Sequence, residues 1–333
     1  MKAEIAESAG ARHARILGVG SYRPRRIVGN DEVCAHIDST DEWIRSRTGI
    51  VTRRWAAPDE TLGVMAEQAA SKAVAAAGIT PADIGLVIAA TFTHLKQTPA
   101  IATEIGHRIG AAGAAGFDIS AGCAGFVHGL ALAADAVRSR GGHVLVVGVE
   151  RMTDILDLTD RSTAFIFGDG AGACVVGPSD TPGIGPVVWG ADGSQADAIT
   201  QSVPWDALRT DPQQPFPALR QEGQRVFRWA VYEVSKVAVR GLEAAGLTVD
   251  DLDAFVPHQA NERIIDAMTR SIGLPARVAV AKDIVTTGNT SGASIPLAMD
   301  ALLASGKAVS GDTALLVGYG SGLSYAALVA ALP

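Results

Sequence analysis

The stretch AAAGITPADIGLVIAAT, residues 75–91, decides the fold, because it recurs as EAAGLTVDDLDAFVPHQ at residues 243–259 with a constant offset of 168. Each copy reads as a helix end, a glycine stop, a polar loop and a short apolar strand. Farther out, VLVVGVE at 144–150 is matched by ALLVGYG at 314–320, an offset of 170. Between the paired strands each half carries a small-residue turn feeding an apolar helix. The first is SAGCAGFVHGLALAADAV around Cys123, and the second is NTSGASIPLAMDALLA around Ser291, 168 residues on. Self-similarity at a fixed spacing marks a duplicated structural unit. Strands alternate with helices in that unit. An α/β fold follows, with two duplicated βαβ-containing halves around a pseudo-twofold axis and largely parallel sheets. The halves are residues 1–177 and 178–333, the second opening on an irregular connection (178–222) with seven prolines and little periodicity.

Composition narrows the class. Of 333 residues, 48% are hydrophobic and 19% charged, which excludes a disordered chain and needs no disulfide or metal staple. Only 5% are aromatic while 37 are glycine, so the core is aliphatic with tight backbone approaches. A net charge of −7 without a basic run argues against nucleic acid. Apolar runs stop at strand length, far short of a membrane helix, and the first fifteen residues lack an apolar leader core. Three cysteines without a CxxC pair and seven histidines without metal-ligand spacing leave no metal site in view. A cytoplasmic protein is expected.

Three residues stand out. Cys123 sits where a short strand ends and a helix begins, and the partial positive charge of a helix N-terminus favours the thiolate. His258 directly follows the strand that duplicates residues 86–90, and Pro257 keeps Val256 extended, so the imidazole arrives at a strand's C-terminal edge. Asn289, in TGNTSGAS, occupies the second half's counterpart of the Cys123 turn. The duplication brings all three to the interface between halves, an arrangement suited to covalent acyl chemistry. Ser39, Thr40, Asp41 and Glu42 read as a capping box that opens a helix with Trp43 and Arg47 on one face. The GDGAG run at 168–172 reads as a turn before a strand, and Gly18 and Gly20 precede SYRPRR rather than a helix, so neither marks a nucleotide loop.

The segments FDISAGCAGF, DAFVPHQANERII, TGNTSGASIPLA and DRSTAFIFGDGAGA resemble the β-ketoacyl-acyl-carrier-protein synthase III family of the thiolase superfamily, and the likeness runs from about residue 15 to the C-terminus. Gly292 departs from it, since relatives more often carry Ala there. The resemblance implies a thiolase-like fold and a decarboxylative Claisen condensation of an acyl-CoA with malonyl-acyl-carrier protein, initiating fatty acid biosynthesis without a cofactor. Cys123 would accept the acyl group, while His258 and Asn289 would stabilise the enolate. Trp43, Arg47 and Arg161 would hold CoA. Arg228, Arg263 and Arg270, with Gln259, Ala260, Asn261 and Glu262, would dock the carrier protein. Ser321 and Phe167 would shape the pocket. Thr98, where acetyl-restricted members tend to carry Phe, implies room for starters of about three to five carbons. A homodimer formed through the Ala/Gly-rich central strands is expected. A priming ketosynthase of polyketide synthesis is the alternative, with the same residues.

Overall fold

The computed structural model describes residue 5 and residues 7–333, so the expectation about a leader lies partly outside the described residues. The first half folds into a sheet of β1 (His13–Tyr22), β2 (Ile84–Ala90), β3 (Ala115–Ile119), β4 (His143–Glu150) and β5 (Gly170–Ser179), in the order β1-β5-β4-β2-β3. The second half repeats it with β6 (Val188–Ala191), β7 (Ala254–Pro257), β8 (Ala279–Val280), β9 (Thr313–Gly320) and β10 (Ser324–Ala331), in the order β6-β10-β9-β7-β8. Each strand of one sheet thus has its counterpart five places later in the other.

The sheets are mixed rather than largely parallel. In the first, β3, β2 and β4 run parallel, but β5 returns antiparallel to β4 and β1 antiparallel to β5. The connection at 178–222 is not wholly irregular either, because it contributes β6, which pairs antiparallel with β10 as β1 does with β5. Only four residues long, β6 is too short for a periodicity reading to detect.

Five layers result. Helices α3 (Gly125–Arg140) and α6 (Ser294–Ala304) lie between the two sheets, where Leu130 and Val137 meet Met299 and Leu302 in one apolar core. Helix α2 (Leu62–Ala76) covers the outer face of the first sheet. Helices α4 (Ser235–Ala244) and α5 (Glu262–Ser271) cover that of the second. Strand β4 shows why its sequence is apolar throughout: Val144 and Val146 face the central core, and Leu145, Val147 and Val149 face α2. Among the described residues no helix is long and apolar enough to cross a membrane.

The structure also corrects the register of the duplication at the turns. Gly122 and Ser291 share a left-handed conformation, with φ of 52° and 48°, and the residues before them have matching angles (Ala121 φ −116°, ψ 30°; Thr290 φ −98°, ψ 25°). Cys123 therefore corresponds to Gly292, not to Ser291. The offset steps from 168 at the β2/β7 strands through 169 at the turns to 170 at β4/β9, as single residues are gained between blocks.

Candidate active site

Cys123 lies in the one-turn 3₁₀ segment Gly122–Ala124 ahead of α3 and is 9% exposed. Two close approaches fix it there. A Cβ placed on Gly320, the last residue of β9, would fall 2.9 Å from Cys123 Cβ and 3.1 Å from its Sγ. Gly122, whose φ of 52° suits glycine, sits so close to Ser321 that no side chain fits between them. A strand end of the second half is thus pressed onto the Cys123 turn of the first. Burial pushes the Cys123 thiol up to about 12, opposed chiefly by a hydrogen bond with Ser291. Desolvation outweighs the lowering that the helix end predicted.

His258 is 1% exposed and follows β7, held by its own N–H, which donates to Val317 O at 2.8 Å. Its Nδ1 lies 2.7 Å from Ser294 Oγ, which also accepts a hydrogen bond from the Gln259 N–H at 3.3 Å. Nδ1 is the sole acceptor within reach of the Ser294 hydroxyl among the described residues, so that hydroxyl donates to it and the proton sits on Nε2. Burial depresses the imidazole to about 3, which keeps it neutral. The ring edge stands on Tyr319, with centroids 5.2 Å apart.

Asn289 is stitched in by its backbone: its N–H donates to Ile166 O at 2.9 Å, and its carbonyl accepts from the Gly168 N–H at 3.0 Å, bridging Phe167. Its side-chain oxygen accepts from the Ser291 N–H at 2.8 Å. The amide orientation is thereby fixed, leaving the Nδ2 donors for the cavity.

Cys123, His258 and Asn289 all line one cavity of about 620 Å³, together with Phe167, Tyr319, Gly320 and Ser321. At its mouth stand half-buried Trp43 and exposed Arg47, Arg228 and Arg263. The helix α1 (Asp41–Thr48) that carries Trp43 and Arg47 is capped by Thr40 rather than Ser39, with Thr40 Oγ1 accepting from the Trp43 N–H at 3.1 Å. Adjacent hydroxyl residues both suit a cap, and here the second takes it. Arg161 lies over the Trp43 ring at 5.0 Å. Asn261 caps α5 and ties it to α1, its Oδ1 accepting from the Arg263 N–H and its Nδ2 donating to Arg47 O. Ala260 lines the cavity beside it. Among the described residues Arg47, Arg161, Arg228 and Arg263, grouped at this opening, have no ion-pair partner, whereas many arginines elsewhere do. An acidic protein that leaves cations unpaired around one opening presents an anion-binding face there.

Four expected site residues stand elsewhere. Gln259 is 1% exposed and turned inward: its Nε2 donates to Pro257 O and Ala281 O, and its Oε1 accepts from the Ile284 N–H. Fully spent on the backbone, it is a strut under the rim and touches no partner. Glu262 pairs with Lys282, and Arg270 stands exposed on the last turn of α5, away from the mouth. Thr98 is exposed on the loop before residues 101–109 and lines neither the main cavity nor a second one of about 580 Å³ beyond Gly122 and Ser120. Ser294 escaped the sequence reading. Its signal was its place one residue past the duplicated turn, where the first half has Gly125.

The chain was compared with known proteins. The family profile described as 3-oxoacyl-[acyl-carrier-protein (ACP)] synthase III matches residues 117–193, and its C-terminal counterpart matches 242–332. The chain is 59% identical over 331 residues to the β-ketoacyl-[acyl-carrier-protein] synthase III of Streptomyces glaucescens, covering 99% of each. It is 52% identical to the mycobacterial β-ketoacyl-[acyl-carrier-protein] synthase III of Mycolicibacterium paratuberculosis, again over 99% of each. Among solved structures it resembles the priming β-ketosynthase of the R1128 polyketide pathway, with a TM-score of 0.96, 55% identity and coverage of 99% and 98%. It also resembles 3-oxoacyl-(acyl carrier protein) synthase III of Pseudomonas aeruginosa PAO1, with a TM-score of 0.89, 36% identity and coverage of 97% and 99%.

Proposed function

The chain belongs to the 3-oxoacyl-[acyl-carrier-protein] synthase III family, condensing acyltransferases of thiolase-like fold, and from that premise we propose how its own residues divide the reaction. Cys123 Sγ attacks the thioester carbonyl of an acyl-CoA, forming an acyl–Cys123 thioester and releasing CoA as its thiol, which takes up the cysteine's proton. One difficult condensation becomes two easier steps. Malonyl-acyl-carrier protein then enters. As it loses CO₂, negative charge gathers on its thioester oxygen, and the Nε2–H of neutral His258 and the Nδ2–H of Asn289 donate to that oxygen. Fixed donors act most strongly where charge develops, each contributing ~2.7–4 kcal/mol in comparable oxyanion holes. The enolate carbon attacks acyl–Cys123, the C–S bond breaks, β-ketoacyl-carrier protein leaves, and the released thiolate takes a proton from solvent to return to the thiol.

The observation that carries this reading is the convergence of a nucleophile from one half and two neutral donors from the other at the floor of one cavity. The unpaired arginines and Trp43 at the mouth suit the adenine and phosphates of CoA and an acidic carrier protein. The acyl-CoA and malonyl-carrier protein are substrates, and no cofactor is required. Cytoplasmic placement and a homodimer complete the reading. The central strands cannot form the dimer surface, because β4 and β9 are buried within the chain. Strand β3 ends its sheet with Phe117 42% exposed, and it is the edge we assign to the dimer. Incubation with acyl-CoAs followed by mass spectrometry tests the assignment: an acyl adduct on Cys123 is expected, and none with any acyl-CoA would overturn it.

A second reading is favoured by the likeness to the R1128 priming ketosynthase, namely that the product feeds polyketide rather than fatty acid assembly. The chemistry is the same. Turnover with a fatty-acid carrier protein against a polyketide carrier protein, each malonylated, separates the two.

A further inference from the structure

The pseudo-twofold axis exchanges Cys123 with Gly292 and, at the ends of the paired strands, Gly320 with Glu150. Where one side has a thiol against a glycine, the other has a glycine against a carboxylate: a Cβ on Gly292 would lie 3.5 Å from Glu150 Oε1. Glu150 is fully buried, and the condensation as described gives it no part.

Its hydrogen bonds divide unequally. Oε2 accepts from Thr91 Oγ1 at 3.1 Å, the Phe92 N–H at 3.3 Å, the Thr93 N–H at 3.2 Å and Thr93 Oγ1 at 2.6 Å, all from the first half. Oε1 accepts from Ser291 Oγ alone, at 3.1 Å, across to the second half. Ser291 is the one non-glycine residue with a positive φ among the described residues. Such a conformation costs of order 1 kcal/mol and persists where its surroundings hold it. The same residue's N–H holds Asn289 Oδ1. Burial pushes the Glu150 carboxyl up to about 7, so the five donors stabilise a charge that the core alone would not keep.

We propose that Glu150 is a positioning residue for decarboxylation: through its single bond to Ser291 it holds the left-handed turn that aims the Asn289 amide into the cavity. This rests on the reading of Asn289 as an enolate donor.

Glu150→Gln tests it. With four donors at Oε2, the glutamine must put its oxygen there and turn its NH₂ toward Ser291, removing the acceptor that holds the hydroxyl. Decarboxylation of malonyl-carrier protein should fall at least tenfold. Acylation of Cys123 should stay at the wild-type rate or rise, since a negative neighbour of the thiol is gone. Ser291→Ala, which breaks the same bond and leaves the left-handed backbone strained, should reproduce the decarboxylation defect, and the double variant should be no worse than either single. Equal loss of both steps, or unimpaired decarboxylation in Glu150→Gln and Ser291→Ala, would overturn the proposal. Asn289→Ala is the reference. If it abolishes decarboxylation while the Glu150 and Ser291 variants do not, only the positioning role fails. If it decarboxylates normally, the donor role of Asn289 fails and the proposal with it.

Discussion

At the scale of single residues, burial keeps the Cys123 thiol and the His258 imidazole neutral, and the proposed roles turn on that. Cys123→Ala should abolish condensation while malonyl-carrier protein is still decarboxylated, because His258 and Asn289 remain. Separate assays of CO₂ release and β-ketoacyl product check the split. His258→Ala should invert it, retaining acylation of Cys123 and losing decarboxylation by two orders of magnitude or more. The imidazole also leaves a mark on stability. It protonates near 6.5 when unfolded and near 3 when folded. Between those values the unfolded chain binds a proton that the folded chain refuses, so this contribution is fully present above pH 6.5 and shrinks as pH falls toward 3. His258→Gln should therefore lose less stability than the wild type between pH 7 and pH 5, read from urea midpoints at each pH.

At the scale of elements, strand ends and helix starts deliver the chemistry. Ser294 on the first turn of α6 sets the tautomer of His258, and Ser294→Ala should slow decarboxylation about tenfold, in line with one hydrogen bond of ~0.5–1.5 kcal/mol. The ¹⁵N shifts of labelled His258 would report the loss of the Nε2–H form. Gly320→Ala should slow acylation, since the added methyl lands 3.1 Å from Sγ. Burst amplitudes with acyl-CoA measure this, and Tm should fall as well, since the same methyl lies 2.9 Å from Cys123 Cβ. Much of this grammar was legible in the amino-acid order: a strand ending in Cys123, a Pro257 that keeps its neighbour extended before His258, and a turn around Asn289. What escaped it was set by contacts distant in sequence. The turn register needed backbone angles, because apolar letters match equally well one residue either way. Gln259 was expected to dock the carrier protein, yet its amide is consumed by carbonyls from β7 and from the segment after β8. Glu150 read as the tail of an apolar strand, and only the approach of Ser291 from the other half gives it a role.

At the scale of the whole molecule, the β3 edge and the loop holding Thr98 bear on assembly and on starter choice together. Phe117→Arg should weaken a homodimer formed along that edge, with light scattering at micromolar concentration as the check. Thr98 lines neither the main cavity nor the one beyond Gly122, so a partner subunit is needed to bring it to a starter pocket. Thr98→Phe should then shift kcat/KM toward acetyl-CoA over branched four- and five-carbon starters, at ~0.8 kcal/mol per excluded methylene. The exchange of Cys123 and Gly320 with Gly292 and Glu150 has a consequence for ancestry. A duplication read this way leaves two unequal copies. On the proposed roles neither half would suffice alone, since the first supplies the sulfur and the second the two donors, and the bond between Glu150 and Ser291 ties the two turns together.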